Sequence, residues 1–209
     1  MLKQILTFSA VILLSACATA PLRTSAPEAS THKKVDFFAA GHTQAAFKVV
    51  GTMDEAGLEG VLVAKKIGEE SYEVTVLTSG AYRLLHALVT PQGIAYRYLF
   101  PDADTALIRG RISQFLNLLL LDPGIYERKR TQKDQVMLTY KGQAATVRLF
   151  YRLDQEYPFT AKTSTLLNTA DLFYGEYAPA DAGGTIQVPH ELLYKDGKIE
   201  LALTLIRLK

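Results

Sequence analysis

Four histidines, one cysteine and one adjacent pair of glutamates are the residues of this chain whose types most often do chemistry. None of His32, His42, His86 and His190 has a second histidine or a cysteine at metal-ligand spacing, so no metal site is expected. His86 interrupts an apolar row with Leu84 and Leu88. It reads as a hydrogen-bonded structural histidine, the alternative being a ligand contact. His190 follows Pro189 near a strand start and is expected at the surface. Glu69-Glu70 resembles the paired carboxylates of acid–base catalysis but sits in a turn pattern, where solvated charge is the norm. The chain has no Gly-x-Ser-x-Gly elbow, no Ser-x-x-Lys, no His-Glu-x-x-His and no glycine-rich phosphate loop. No catalytic residue and no cofactor are therefore expected, and the chain is read as a non-enzyme. The cluster Arg128-Lys129-Arg130, with Lys133 nearby, reads as a solvated strand or loop, the alternative being a contact with anionic headgroups.

The cysteine has a more definite setting. Leu14-Ser15-Ala16-Cys17 closes an N-terminal segment that carries one positive charge, Lys3, and an apolar run from Ile5 to Leu14. The run is too short to be a permanent membrane span and ends in a small-residue cleavage signature. It resembles the lipobox of bacterial lipoproteins, the other reading being an ordinary signal peptide with an incidental cysteine. The resemblance implies cleavage before Cys17, removal of residues 1–16, and acylation of the Cys17 thiol and its new amino group. Each buried methylene adds roughly 0.8 kcal/mol and one chain alone binds marginally, so several chains would make a stable membrane anchor. Position 18 is Ala rather than Asp, which in the sorting pattern of enteric-type lipoproteins implies the outer membrane, facing the periplasm.

After that segment, residues 17–34 are rich in Ala, Thr, Ser and Pro with no apolar period, the pattern of a flexible tether. Residues 35–209 suit one domain with a sizeable core. Hydrophobic residues are 48% of the 209, close to the globular average, and the formal charge of +2 gives no reason to expect nucleic acid as a partner. A lone cysteine excludes an internal disulfide, and there is no tryptophan to stack on a ligand.

Five β segments are expected first: Ala46–Thr52, Leu58–Ile67, Tyr72–Thr78, Tyr82–Thr90 and Ile94–Leu99. The turns between them are short enough for an antiparallel meander. Period 2 puts Tyr72, Val74 and Val76 on one face. From Asp104 to Leu121 the period becomes helical, with Ile108, Ile112, Phe115 and Leu119 on one stripe. Asp102 or Asp104 is placed to cap the start, and Asp122-Pro123-Gly124 stops the end. Leu118–Leu121 is apolar nearly all round, so that end needs neighbours on more than one side. This reads as core packing or as a helix lying over the open face of a curved sheet. Strands are expected again at Ile125–Arg130, Gln135–Tyr140, Thr146–Leu153, Phe159–Leu166, Leu172–Tyr177, Ile186–Tyr194 and Lys198–Leu208. Asp196-Gly197 is the clearest hairpin signal.

This order of elements, with Gly57-Leu58-Glu59-Gly60-Val61-Leu62-Val63-Ala64-Lys65 and the phrase Gln187-Val188-Pro189-His190-Glu191-Leu192 before a closing strand, resembles the LolA/LolB-type fold of lipoprotein-localisation factors. The resemblance implies a mainly β (α+β) domain, a curved antiparallel sheet or incomplete β-barrel whose open face an amphipathic helix covers. It also implies an apolar cavity for the acyl chains of a lipid or lipoprotein cargo. Phe47, Val49, Leu62, Leu84 and Leu88 would line that cavity, with Ile108, Ile112, Phe115 and Leu119 above, although each could equally fill an ordinary core. The competing expectation is a non-catalytic scaffold lipoprotein that docks an envelope protein partner.

Overall fold

Alternating apolar and polar residues between short turns give a chain of hairpins. The structure, a computed structural model, describes residues 32–53, 55–142, 145–165, 168–181 and 183–209. The expected signal segment, Cys17 and most of the expected tether lie outside the described residues. Five strands come first: β1 (Gln44–Met53), β2 (Ala56–Gly68), β3 (Ser71–Thr78), β4 (Arg83–Thr90) and β5 (Gly93–Leu99). Helix α1 (Ala106–Leu120) follows, and then β6 (Ile125–Gln132), β7 (Gln135–Lys141), β8 (Thr146–Arg152), β9 (Thr160–Ser164) and β10 (Thr169–Tyr174). The chain ends with β11 (Tyr177–Pro179), β12 (Gln187–Pro189), β13 (Glu191–Lys195) and β14 (Ile199–Leu208).

Twelve of these strands form one sheet in the order β5-β4-β3-β2-β1-β14-β13-β10-β9-β8-β7-β6, and β11 pairs with β12 separately. Neighbours run antiparallel throughout, as short hairpins require. Strands β5 and β6 are the two free edges, so the sheet is open and not a closed barrel, as expected for an incomplete barrel with one helix. The last strand, β14, pairs with both β1 and β13 and so joins two arms into one sheet. Its turn is fixed by Asp196, whose carboxylate accepts from the N–H groups of Lys198 (3.2 Å) and Ile199 (2.9 Å). Gly197 takes the φ of +84° that a side chain disfavours. Close strand approach elsewhere demands glycine: a Cβ on Gly51 would lie 1.9 Å from the Glu200 carbonyl oxygen, and one on Gly60 2.0 Å from that of Leu77.

Two expected strands and the helix cap differ from expectation. The segments expected as single strands at 172–177 and 186–194 are each split in two. The breaks fall where the Gly175 N–H donates to the Glu191 carbonyl (2.7 Å) and the His190 N–H to the Glu176 carbonyl (2.6 Å). The helix is capped by Thr105, not by Asp102 or Asp104: its hydroxyl oxygen accepts from the Ile108 N–H at 3.2 Å. Asp104 instead holds the Arg109 guanidinium, with Nη2 to Oδ2 at 2.9 Å. That contact keeps the Asp104 carboxyl below its ordinary pKa.

One core runs through both arms, with Leu138, Tyr151, Leu172 and Tyr194 buried in the second. In the first arm Ala45, Phe47 and Val49 of β1, Leu62 and Ala64 of β2, Val74 of β3, and Leu85, Ala87 and Val89 of β4 are all buried on the inner face. The segment preceding β1 turns back over this face. The Asp36 carboxylate accepts from the Phe38 N–H (2.8 Å), Phe37 meets Phe47 edge-on at 5.1 Å, and Phe38 meets Tyr72 at 5.0 Å. Residues 32–34, the end of the expected tether, also lie against the sheet. The Lys33 N–H donates to the Glu156 carbonyl (2.7 Å), its ammonium pairs with the Glu156 carboxylate (2.7 Å), and His32 packs edge-on against Tyr151 at 4.6 Å.

Candidate functional site: a cavity beside the helix

Helix α1 presents opposite sides to two interiors. Ile112, Phe115, Leu116 and Leu119 repeat at helical spacing and are buried in the core, with Phe115 5.0 Å from the ring of Tyr194 on β13. Leu107, Gly110, Arg111, Gln114, Leu118 and Leu121 form the other stripe and face a cavity of about 1240 Å³. Its far wall comes from the second arm: Val147 and Leu149 of β8, Ala161 and Thr163 of β9, Tyr174 of β10, and Pro158. The lining is mostly apolar and many of its side chains are small, so they approach the helix without filling the gap. The volume exceeds the several hundred Å³ typical of a site for one small ligand.

The mouth is apolar and charged by turns. Leu107 is 60% exposed and Ile125 76%, both in the lining. Lys34 and Asp122 form an ion pair (2.5 Å) at the rim, and the Lys34 ammonium also sits 5.2 Å from the Tyr140 ring centre. Glu70 and Lys141 are rim residues too. Inside, charge is neutralised. The Arg111 guanidinium donates to the fully buried Asp196 carboxylate at 2.7 Å, and Asp196 also receives the Tyr194 hydroxyl at 3.3 Å. Burial pushes the phenols of Tyr174 and Tyr194 up, so both are uncharged at neutral pH.

None of the residues expected to line the cavity lines this one. Phe47, Val49 and Leu62 do face inward, but Phe37 and Phe38 occupy the space they would have bordered. Ile112, Phe115 and Leu119 belong to the helix's core stripe, and Ile108 packs against that core. Leu84 and Leu88 sit on the other face of β4 from buried Leu85, Ala87 and Val89, beside His86. His86 is the hydrogen-bonded structural histidine expected, with Nε2 2.8 Å from a Glu73 carboxylate oxygen. That hydrogen bond, with the nearby Arg97, holds the Glu73 carboxyl below its ordinary pKa. His190 is exposed, and Glu69, Glu70 and Arg128-Lys129-Arg130 are exposed as well. The actual lining was missed because Gly110, Arg111 and Gln114 occupy what a helical wheel reads as the solvent side. The one signal pointing there was the apolar belt Leu118–Leu121, which needed neighbours on two sides. Among the described residues no group of three or more His, Cys, Asp or Glu could hold a metal, and no helix is long and apolar enough to cross a membrane.

No protein-family model and no curated protein sequence matches the chain. Solved structures do. A LolA superfamily protein of Nitrosomonas europaea aligns with a TM-score of 0.56 at 13% identity, covering 80% of this chain and 85% of that one. An outer membrane lipoprotein-sorting protein domain of Vibrio parahaemolyticus aligns at 0.46 and 7% identity, covering 80% and 84%. A DUF1329 family protein of Desulfovibrio piger aligns at 0.47 and 10%, covering 83% and 87%. The chain shares the fold of the Nitrosomonas LolA superfamily protein: mostly β, an open antiparallel sheet with one long helix.

Proposed function

We propose that this protein is a carrier or acceptor of acyl chains, taking the apolar part of a lipid or acylated protein into the hollow between α1 and the inner face of β8–β10. The observation that carries the reading is an apolar cavity of about 1240 Å³ that persists beside a filled core. Apolar area moved from water into such a space gains roughly 25 cal/mol per Å². Exposed Leu107 and Ile125 at the mouth give an arriving chain its first apolar contacts. Uptake and release involve no covalent step, so the protein is not an enzyme in this reading and needs no cofactor. The place of work is the periplasmic face of the outer membrane, reached through lipid on Cys17, with the cargo handed over by an envelope partner. A scaffold role is the second reading, favoured by β6, whose eight residues are all exposed at a sheet edge.

The test is native mass spectrometry of the full chain carrying Cys17→Ser, released from the envelope without detergent. Co-purifying lipid or lipopeptide is the expected result. An empty protein that also fails to enhance the fluorescence of N-phenylnaphthylamine would remove the carrier reading. In fractionated cells the same substitution moves the protein from the membrane to the soluble periplasm, and persistent membrane attachment would disprove the anchor.

A further inference from the structure

The sheet has two free edges, and they differ in charge. At β5 the polar side chains are engaged within the protein: Arg97 pairs with Glu73 at 3.0 Å, and the Tyr96 hydroxyl donates to the Arg109 carbonyl at 2.7 Å. At β6 they are not. All of Ile125–Gln132 is exposed, and among the described residues no strand pairs with its far side. The strand and its turn carry Arg128, Lys129, Arg130 and Lys133 against Glu127 and Asp134, in a chain whose formal charge is +2. None of those cations forms an ion pair among the described residues. The register sorts them by face. Arg128 and Arg130 stand opposite Thr139 and Met137, and Lys129 opposite buried Leu138, so the arginines lie on the outer face and the lysine on the inner. The outer face stays basic on β8, where Arg148 is in register with Thr139 and Arg152 with Gln135, neither paired with a carboxylate among the described residues.

We propose that β6 is a docking edge for an extended acidic segment of a partner protein, which adds to the sheet as a further strand. A free edge presents unpaired backbone N–H and C=O groups, and a strand added about 4.8 Å away satisfies them. Alternate side chains of that strand then stand opposite Arg128 and Arg130, near enough for the forked carboxylate contacts that arginine favours. The same charges select the occupant. A second copy of β6 would set cation against cation, which destabilises a strand pair, so the edge rejects itself. Protection against self-pairing needs charge only on the edge strand. Arg148 and Arg152 lie two strands in and extend the positive field over the outer face, where it attracts an anionic partner. The inference rests on the scaffold reading and gives it a partner of stated chemistry. It is independent of the carrier reading, because residues 127–132 line no part of the cavity beside α1.

The experiment uses the full chain carrying Cys17→Ser and a fluorescein-labelled Glu-Thr repeat peptide, followed by fluorescence anisotropy and amide hydrogen exchange. The peptide is expected to slow exchange in residues 125–132 and to bind roughly tenfold tighter than a Gln-Thr peptide of the same length. Methylating alternate backbone nitrogens of the acidic peptide weakens it several-fold, which bare charge attraction would not show. Combining Arg128→Glu with Arg130→Glu weakens binding roughly tenfold, while denaturant unfolding and N-phenylnaphthylamine uptake keep the parent's values. An acidic peptide no tighter than the neutral one, with exchange at β6 still slowed, would overturn the acidic partner and leave the docking edge. No binding of either peptide would overturn the edge, and with it the scaffold reading. Binding that survives backbone methylation, or that goes instead to phosphatidylglycerol vesicles and is lost in the double variant, would make β6 a contact for anionic surfaces and overturn strand addition.

Discussion

On β1–β3 the inner face meets Phe37 and Phe38; on β8 and β9 part of it, Val147, Leu149, Ala161 and Thr163, borders a cavity. Both arms are antiparallel hairpins of one sheet, and α1 lies against both. What separates them is side-chain volume and a returning segment. The first arm sets Phe47, Leu62, Tyr72 and Leu85 inward and receives two phenylalanines from the chain before β1. The second sets Ala161 and Thr163 toward the cavity that Gly110 also lines, and the returning segment reaches it through His32 against Tyr151 and through Lys34 and Val35 at the cavity's edge. A well-packed interior excludes voids, so the filled arm should contribute more to stability than the part of the sheet that borders the cavity. Deep substitutions should therefore cost far more in the first arm than in the second.

The largest expected effect is Phe37→Ala. Phe37 is 2% exposed and packs edge-on against Phe47, and a phenylalanine lost from a filled core costs about 3–5 kcal/mol. Denaturant unfolding measures it. A loss below about 1 kcal/mol would mean that the returning segment is not a plug and that the contrast between the arms is false.

A matched pair sharpens the contrast. Leu62 on β2 and Leu149 on β8 are both nearly buried, at 1% and 5%, but only Leu149 borders the cavity. Leu62→Ala should cost about 3–4 kcal/mol. Leu149→Ala should cost about 2 kcal/mol or less, because one side of that leucine already lacks packing partners. Equal losses in the two variants, read from the same unfolding curves, would indicate that the second arm is as tightly packed as the first.

The two arms were not equally legible. Every strand of the first meander and the span of α1 follow from apolar period and turn residues, because short hairpins leave few ways to pair. That Phe47, Val49, Leu62, Phe115 and Leu119 are buried follows from their size and apolarity, but whether they border a hollow or fill a core did not: they were expected to line a cavity and they pack in the core. The hollow itself was not legible. Its lining mixes Gly110, Arg111 and Gln114 with Ala161 and Thr163, residue types equally at home on a solvated surface or in a tight core. Periodicity marks which side of an element is buried, not whether the opposite side meets solvent or a cavity. On β4, apolar residues stand on both faces, and the row holding Leu84 and Leu88 proved to be the outer one. The cap was mistaken because Asp104 and Thr105 are neighbours and both suit the role; Arg109 decides it by engaging the aspartate.

The smallest stability change is expected at Gly110, and it separates packing from binding. A Cβ there would meet nothing within 4 Å, although the residue lies inside a helix, where glycine is poorer than alanine by about 1 kcal/mol. Gly110→Ala should therefore stabilise the protein by up to about 1 kcal/mol, with little change in probe uptake, since a methyl group takes up little of the hollow. Gly110→Phe should fold as well as the parent while weakening N-phenylnaphthylamine uptake by roughly tenfold, because its ring enters the cavity instead of the core. At Gly51 and Gly60 of the first arm the same substitution is excluded, since a Cβ there would already lie about 2 Å from a neighbouring strand's carbonyl oxygen. Full uptake by a folded Gly110→Phe chain would place the probe somewhere other than the space beside α1, and the division of labour between the arms would have to be drawn elsewhere.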